Sequence, residues 1–304
     1  MNTRDLQAFV AVVDGGSMVR AAQTLHLTQP GLTRRVQNLE NTLGMPLLDR
    51  QAKPLKPTAA GREVYALARN VLGAVDDLLA LTSPDSEPAG ELRLGVPPFL
   101  SEFALEEPVD RLRSAFPKLT LRVTAAWSPG LLQSVERASA DAAVVLMPSN
   151  VALPDTVVST RLACLSTVVV APRSLDLPDT PVSLAELSRY AWVLNQDGCG
   201  MRSALSRALA AGGLPFNVAV EAFGSDLQLS LVARGLGIGI VPPDRLERSP
   251  HRDRLRVVET TDFRSDVNVW LVHGALPGRL ARAVGLLREA LVETLVANGI
   301  AAAE

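Results

Sequence analysis

Residues 26–35 read HLTQPGLTRR, and the reading of this stretch decides the amino-terminal fold. Pro30 followed by Gly31 is ordinarily a turn signal. From Leu32 onward, however, Leu32, Val36, Leu39 and Leu43 recur at helical spacing, so one face is apolar. The two signals agree if Thr28 is the N-cap. Pro30 then lies in the first turn, where its missing N–H has no intrahelical partner to lose and its fixed φ already suits a helix. Gly31 carries a cost of about 0.5–1 kcal/mol against alanine in a helix interior, less near an end. The outward face carries Gln29, Thr33 and Gln37 at i+4 spacing, with Arg34 beside them. These side chains are of the types that hydrogen-bond base edges and phosphates in a major groove.

Working upstream, Leu6, Phe9, Val10 and Val13 mark one face of a first helix, with Asn2 or Thr3 as its cap and Gly15-Gly16 as its stop. Ser17 caps a short second helix, MVRAAQTL, whose small pair Ala21-Ala22 admits a close neighbour. Helix, short helix, tight connection and a third helix make a helix-turn-helix unit. Downstream, GMPLLDRQAKPLKPT (44–58) alternates apolar and basic residues between prolines, as a wing would. Residues 1–60 hold seven Lys/Arg against four acids, a net +3, while the remaining chain has 23 basic and 28 acidic residues, a net −5. A basic head on an acidic body suits an anionic polymer bound by the head alone. Periodicity by itself leaves a second reading equally open, an αα-hairpin whose Arg/Gln face is merely solvated.

The ordered set of residues resembles the LysR-type transcriptional regulators. It runs through Leu6, Phe9 and Val10, then Gly16, Ser17, Ala21, Ala22 and Leu25, then LTQPGLTRRVQNLE, then Leu43, Gly44, Pro46, Leu47 and Arg50, and closes on Thr58, Ala60 and Gly61. Met18 and Leu48 stand where that family usually has phenylalanine, and Gly31 where alanine is usual. The resemblance implies an α+β multi-domain chain: an amino-terminal winged helix-turn-helix (1–58), a long linker helix and hinge (59–89), and a two-lobed α/β effector domain (90–304) resembling periplasmic binding proteins. It implies double-stranded operator DNA as partner, contacted by Thr28, Gln29, Pro30, Thr33, Arg34 and Gln37, with Arg50 and Lys53 from the wing.

From Thr58 the chain reads as one long helix whose Val64, Leu67, Ala68, Val71, Leu72, Val75, Leu78 and Leu79 form a narrow apolar stripe. A solitary helix with one apolar face needs a partner. In the family this segment pairs protomers, so a homodimer through the linker helix is expected, and a tetramer beyond it. The alternative is an intradomain core helix. A dimer would present two recognition helices to half-sites a helical turn or a multiple apart.

Beyond SPDSEPAG, short strands alternate with helices: ELRLGV, KLTLRVTA, DAAVVLM, STVVVAP, AWVLN, NVAVEAF, LGIGIVP, LRVVET and VNVWLVHG. Such alternation argues for mostly parallel sheets covered by helices. By the resemblance, lobe I spans about 91–160 and 268–304, lobe II about 161–267, and a small-molecule effector, an organic anion, sits between them. Crevices at strand carboxyl ends, where helix amino ends point, suit small anions on physical grounds too. Candidate contacts are Pro98, Ser101, Ser128 and Pro148 on one lobe, and Asn195, Arg202 and Ser225 on the other. Each has a plainer role as a helix cap or, for Arg202, as a surface ion pair.

Other chemistry finds no support in the sequence. Apolar residues make up 47% and charged residues 20%, an ordinary folded composition. The start MNTRDLQAFV lacks a secretory build, and no apolar run nears the roughly 20 residues that span a bilayer, so a cytoplasmic protein with no membrane partner is expected. His26, His251 and His273 are too scattered for a metal site or an acid–base pair, and no catalytic motif, metal or cofactor is expected. GLGIG (235–239) follows a helix and precedes a strand, the reverse of a dinucleotide loop. Peroxide-sensing members of the family use a cysteine in a loop like that of Cys199, with a second shortly after; here Ala208 occupies the matching stretch and Cys164 is the only other thiol. A small packed thiol is the better reading. Two competitors remain: a cytoplasmic solute-binding protein without a DNA role, which leaves the head unused, and an enzyme with an accessory head, which lacks a convergent catalytic set.

Overall fold

The computed structural model describes residues 2–81, 87–101, 104–274 and 280–302. The chain divides into two compact units, one built mainly from Met1–Pro88 and the other from most of the rest.

In the first unit, helix α1 (Thr3–Gly15) begins in a capping box. The Asn2 side chain accepts from the Asp5 amide at 2.9 Å and the Asp5 carboxylate accepts from the Asn2 amide at 3.2 Å. It ends at Gly16, in the left-handed region at φ +60°. Helix α2 (Met18–Thr24) and helix α3 (Gln29–Leu43) follow. Leu6, Phe9 and Val12 of α1, Ala21 and Ala22 of α2, and Leu32, Val36 and Leu39 of α3 close one buried cluster. The inner face of α1 is thus centred on Phe9 and Val12, with Val10 and Val13 at its margin rather than at its middle. Strands β1 (Leu48–Asp49) and β2 (Lys56–Pro57) pair antiparallel as a short wing.

Helix α4 (Ala59–Leu81) starts against that wing. Thr58 caps it: its hydroxyl accepts from the Gly61 amide and donates to the Pro46 carbonyl, both at 2.9 Å. A β-carbon at Gly61 would lie 2.0 Å from the Leu47 carbonyl oxygen, so only glycine lets the helix start here. The apolar stripe of α4 divides in two. Ala68 is buried, and Val64, Tyr65 and Leu72 pack on the head, while Leu67 and Leu78 (each 65% exposed), Val71 and Leu79 are uncovered.

In the second unit the order is β3 (Gly90–Val96), α5 (Pro98–Ser101), α6 (Glu106–Ala115), β4 (Leu119–Ala125), α7 (Ser128–Glu136), β5 (Ala142–Pro148) and β6 (Val158–Pro172). Then come α8 (Leu184–Leu187), β7 (Trp192–Asn195), α9 (Gly200–Ala211), β8 (Val218–Ala222), α10 (Ser225–Ala233), β9 (Gly239–Val241) and α11 (Pro243–Glu247). The unit closes with β10 (Leu255–Val258), β11 (Ser265–His273), α12 (Ala281–Ala297) and β12 (Ala301–Ala302). Gly235–Gly239 ends α10 and enters β9, so GLGIG is a helix stop and a strand start.

Strand β6 belongs to two sheets. Its residues 158–167 pair with β11, and its residues 168–172 pair with β10 and β9. On the first side the order is β6-β11-β5-β3-β4. On the second, β10 and β9 flank β6, Trp192 of β7 bridges to Ile238 just before β9, and β8 pairs with β7. These two sheets with their helices are the two lobes.

The expectation of mostly parallel sheets needs correction. The β3–β4, β3–β5 and β7–β8 pairs are parallel, but β11–β5, β11–β6, β10–β6 and β9–β6 are antiparallel. Helix crossovers impose parallel pairing only where they return the chain to the same edge. Here β6 carries the chain out to the second lobe and β11 brings it back alongside in the opposite direction.

Candidate nucleic-acid interface and interlobe cleft

Helix α3 is capped by Thr28, whose Oγ1 accepts from the Gly31 amide at 3.3 Å, and Pro30 occupies the first turn. A β-carbon at Gly31 would stand 3.0 Å from that Oγ1, so glycine leaves the capping hydroxyl uncrowded. Thr28, Gln29, Pro30, Arg34 and Gln37 are exposed, while Leu32, Val36 and Leu39 face the core. Thr33 returns its hydroxyl to the Gln29 carbonyl at 2.9 Å. Among the described residues Arg34 and Lys53 have no hydrogen-bonding or ion-pair partner, so both charges are available to an incoming anion.

Arg50 differs from them. Its guanidinium donates to Glu40 at 2.9 Å, and the other oxygen of Glu40 accepts from the Leu47 and Leu48 amides at 2.8 and 3.3 Å. Glu40 thereby brackets α3 to the wing, and Arg50 completes the bracket. The role of Glu40 was not read from the sequence, because its partners stand seven to ten residues away in an irregular segment.

In the second unit the candidate cleft residues sit at strand ends, as a binding crevice requires, but most have their polar groups engaged. Ser128 is buried at the start of α7, and its Oγ accepts from the Leu146 amide at 2.9 Å. Ser101 donates to the Pro98 carbonyl at 2.7 Å. Pro98 and Pro148 are buried at the start of α5 and the end of β5. Asn195 is buried at the end of β7, where its Nδ2 donates to Gln228 at 3.1 Å and its Oδ1 accepts from the Gly224 amide at 2.9 Å. Gln228 in turn donates to the carbonyls of Val193 and Ile240 at 3.0 and 3.1 Å. This pair of buried amides ties together the ends of β7, β8 and β9, and each satisfied group holds the loops in register. Arg202 donates to the Asn195 carbonyl at 3.0 Å and to Glu221 at 2.6 Å. Ser225 is the buried first residue of α10.

The lobes meet where these loops converge. Trp127, between β4 and α7, donates its indole N–H to the Gln196 side chain at 3.2 Å. Its ring stands edge-on to Phe223, with centroids 5.8 Å apart at 69°. Elsewhere on the same junction, the Arg245 guanidinium lies 5.4 Å from the centre of the Phe99 ring. Ser128, Asn195 and Ser225 therefore flank one meeting point, whereas no described contact brings Ser101 or Pro148 to it. Sequence reading missed Trp127, Gln196 and Phe223; the one available signal was two aromatic residues in post-strand loops of a chain with 4% aromatics.

The thiols are poor reactive centres. Burial pushes the Cys199 pKa up, against the lowering effect of the Arg202 and Met201 amides, and burial likewise raises that of Cys164. Among the described residues no cluster of His, Cys, Asp and Glu could hold a metal ion, and no helix is long and apolar enough to cross a membrane.

The family model described as "LysR substrate binding domain" matches residues 85–296, and that described as "Bacterial regulatory helix-turn-helix protein, lysR family" matches residues 3–62. The chain is 28% identical over 298 residues to the RuBisCO operon transcriptional regulator of Allochromatium vinosum, covering 95% of each chain. It is 31% identical over 243 residues to the HTH-type transcriptional regulator CzcR of Bacillus anthracis, covering 80% of each. Its fold resembles that of full-length OxyR from Pseudomonas aeruginosa, with a TM-score of 0.78 at 20% identity over 96% of this chain and 94% of that one.

Proposed function

The chain belongs to the LysR-type transcriptional regulators, with a helix-turn-helix DNA-binding domain and an effector-binding domain, and from that membership we propose how its parts divide the work. The DNA-binding head is 1–58, the linker 59–89 and the effector domain 90–304. In the cytoplasm, α3 enters the major groove of operator DNA. Gln29, Thr33, Arg34 and Gln37 face the base edges, Thr28 and Pro30 approach the backbone through the first turn, and Lys53 meets phosphate from the wing. Arg50 adds charge there while it holds Glu40. The observation that carries this reading is the unpartnered Arg34 on the outer face of a helix whose inner face is fully buried.

The uncovered half of the α4 stripe, Leu67, Val71, Leu78 and Leu79, pairs with the same helix of a second copy, giving a homodimer and, by further association, a tetramer. A small organic anion binds between the lobes beside Ser128, Asn195, Arg202 and Ser225, the candidates nearest the junction, and Pro98, Ser101 and Pro148 are candidates set farther from it. Because it favours one arrangement of the lobes, it shifts the population of assemblies that space the DNA heads differently.

A gel shift with the protein's own promoter region, at several salt concentrations, tests the DNA role. Retardation that weakens steeply with salt, and that in Arg34→Ala loses much of its preference for operator over random DNA, is the expected result. Undiminished footprinting by that variant would refute the assignment of α3.

A further inference from the structure

We propose that the strand common to both lobes carries a second ligand site, apart from the cleft, and that this site takes a free amino acid with an apolar side chain. The site is a cavity of about 380 Å³. Its walls are residues 167–169 of β6, residues 257–260 at and beyond the end of β10, and residues 263–264 just before β11. None of these comes from the loops after β3, β4, β5, β7 or β8, where the effector candidates lie.

The cavity forms because the ladder beside β6 is interrupted. Val258 of β10 pairs with Val169, and Ser265 of β11 pairs with Thr167, so residues 259–264 must leave the strand between those two positions. They loop out to the segment before α8 and are fixed there. The Val182 amide donates to the Glu259 carbonyl at 2.9 Å, and the Thr261 amide to the Val182 carbonyl at 3.1 Å. The Leu184 amide donates to the Asp262 carboxylate at 2.7 Å, and the Thr260 hydroxyl to the Phe263 carbonyl. The walls are therefore preformed, and a ligand need not order them.

The lining sets the class of occupant. Val169, Val258 and Phe263 are buried, so the floor is apolar. Glu259 and Arg264 stand at the exposed rim, and among the described residues neither side chain has a hydrogen-bonding or ion-pair partner, each other included. Ser265 is only 4% exposed, and its hydroxyl has no partner among the described residues. It lies opposite Thr167 across the ladder, on the same face as that lining residue. A simple carboxylate satisfies Arg264 but brings its charge against Glu259, and a simple amine does the reverse. An amino acid offers ammonium to Glu259 and carboxylate to Arg264 and Ser265, and turns its side chain to the valines and Phe263. The volume stands near the lower end of the roughly 300–1,000 Å³ of small-molecule sites, which is room for one such molecule.

The full-length protein would be titrated with L-leucine, L-phenylalanine and glycine, and with 4-methylpentanoate and 3-methylbutylamine, which are leucine without its amino or its carboxyl group. Calorimetric heat and the melting temperature are read. Leucine or phenylalanine is expected to bind and to raise the melting temperature. Each singly charged analogue should bind about fivefold more weakly than leucine. Glycine should be weaker by about tenfold or more, for want of apolar burial. Arg264→Gln and Glu259→Gln alter exposed, unpartnered side chains and should fold normally. The first should abolish the advantage of leucine over the amine, and the second its advantage over the carboxylate. An analogue that binds as well as leucine in the unaltered protein would overturn the proposal, as would no response to either apolar amino acid. Leucine binding unchanged in both variants would also overturn it, placing the molecule elsewhere and leaving the reading of the interlobe cleft intact.

Discussion

The Tyr65 phenol donates a 2.5 Å hydrogen bond to the Asp14 carboxylate, joining α4 to the end of α1, and Arg69 stands 3.8 Å from the same carboxylate. Linker and head are therefore coupled by a polar contact laid beside the packing of Ala68. Tyr65→Phe should cost the amino-terminal unit about 1 kcal/mol, seen as a lower urea midpoint. Burial first, and then the bond to Asp14, raise the Tyr65 pKa above its usual 10.0. The folded state thus holds the phenol proton more tightly than the unfolded chain does. The sign follows: this contribution is complete below pH 10.0, the value for an unperturbed tyrosine, and is lost as pH rises through the raised one. Phenolate absorbance during alkaline titration checks it, and Asp14→Asn should move the transition back towards lower pH.

Arg34 and Lys53 should separate base reading from phosphate contact. Arg34→Ala removes an exposed, unpartnered side chain, so stability should change by no more than about 0.5 kcal/mol while operator discrimination falls by roughly 1–3 kcal/mol. Lys53→Ala should weaken binding to all sequences alike and lower the salt slope by about 0.9. Competition gel shifts with operator and random DNA measure both effects.

Arg93 is gripped by Asp141 through three bonds, from its backbone amide at 2.8 Å, Nε at 3.1 Å and Nη2 at 2.8 Å. Asp141→Ala should destabilise the effector domain by about 3–5 kcal/mol, because the arginine charge stays buried without its carboxylate. Replacing both residues by apolar ones of similar size should recover most of the loss in a urea titration.

Cys199 should be inert. Its buried thiol, with a raised pKa, holds little thiolate at neutral pH. Exposure to millimolar-range peroxide should leave operator binding unchanged, and mass spectrometry should find Cys199 unmodified in the folded protein. Rapid oxidation there, accompanied by altered DNA binding, would sink this expectation.

What the sequence disclosed was local. The caps at Asn2 and Thr28, the stop at Gly16 and the inner stripe of α3 each depend on residues within one or two turns, and the structure places them there. The strand ends of the effector domain were visible for the same reason. What stayed hidden was who partners whom across the chain. Ser128, Asn195 and Arg202 stood in the sequence as candidate contacts with a plainer role as caps or, for Arg202, an ion pair, but the partners themselves, Leu146, Gln228 and Glu221, reach them from other elements, in a register that no pattern along the chain encodes. Trp127 and Phe223 lie 96 residues apart and meet only when the lobes do. Strand direction was misjudged because it depends on β6 and β11 passing between sheets, which alternation of strands and helices does not report.

Strand β6 has a practical consequence for anyone dissecting this protein. Since one unbroken strand supplies an inner rung to both lobes, and β11 returns to complete the first, no single cut in the polypeptide liberates a lobe. A fragment ending near Thr167 would leave the first sheet without β11, and one beginning there would leave the second lobe carrying that orphaned strand as a tail. Truncation libraries should therefore recover soluble heads ending before β3, or the whole chain, and little between.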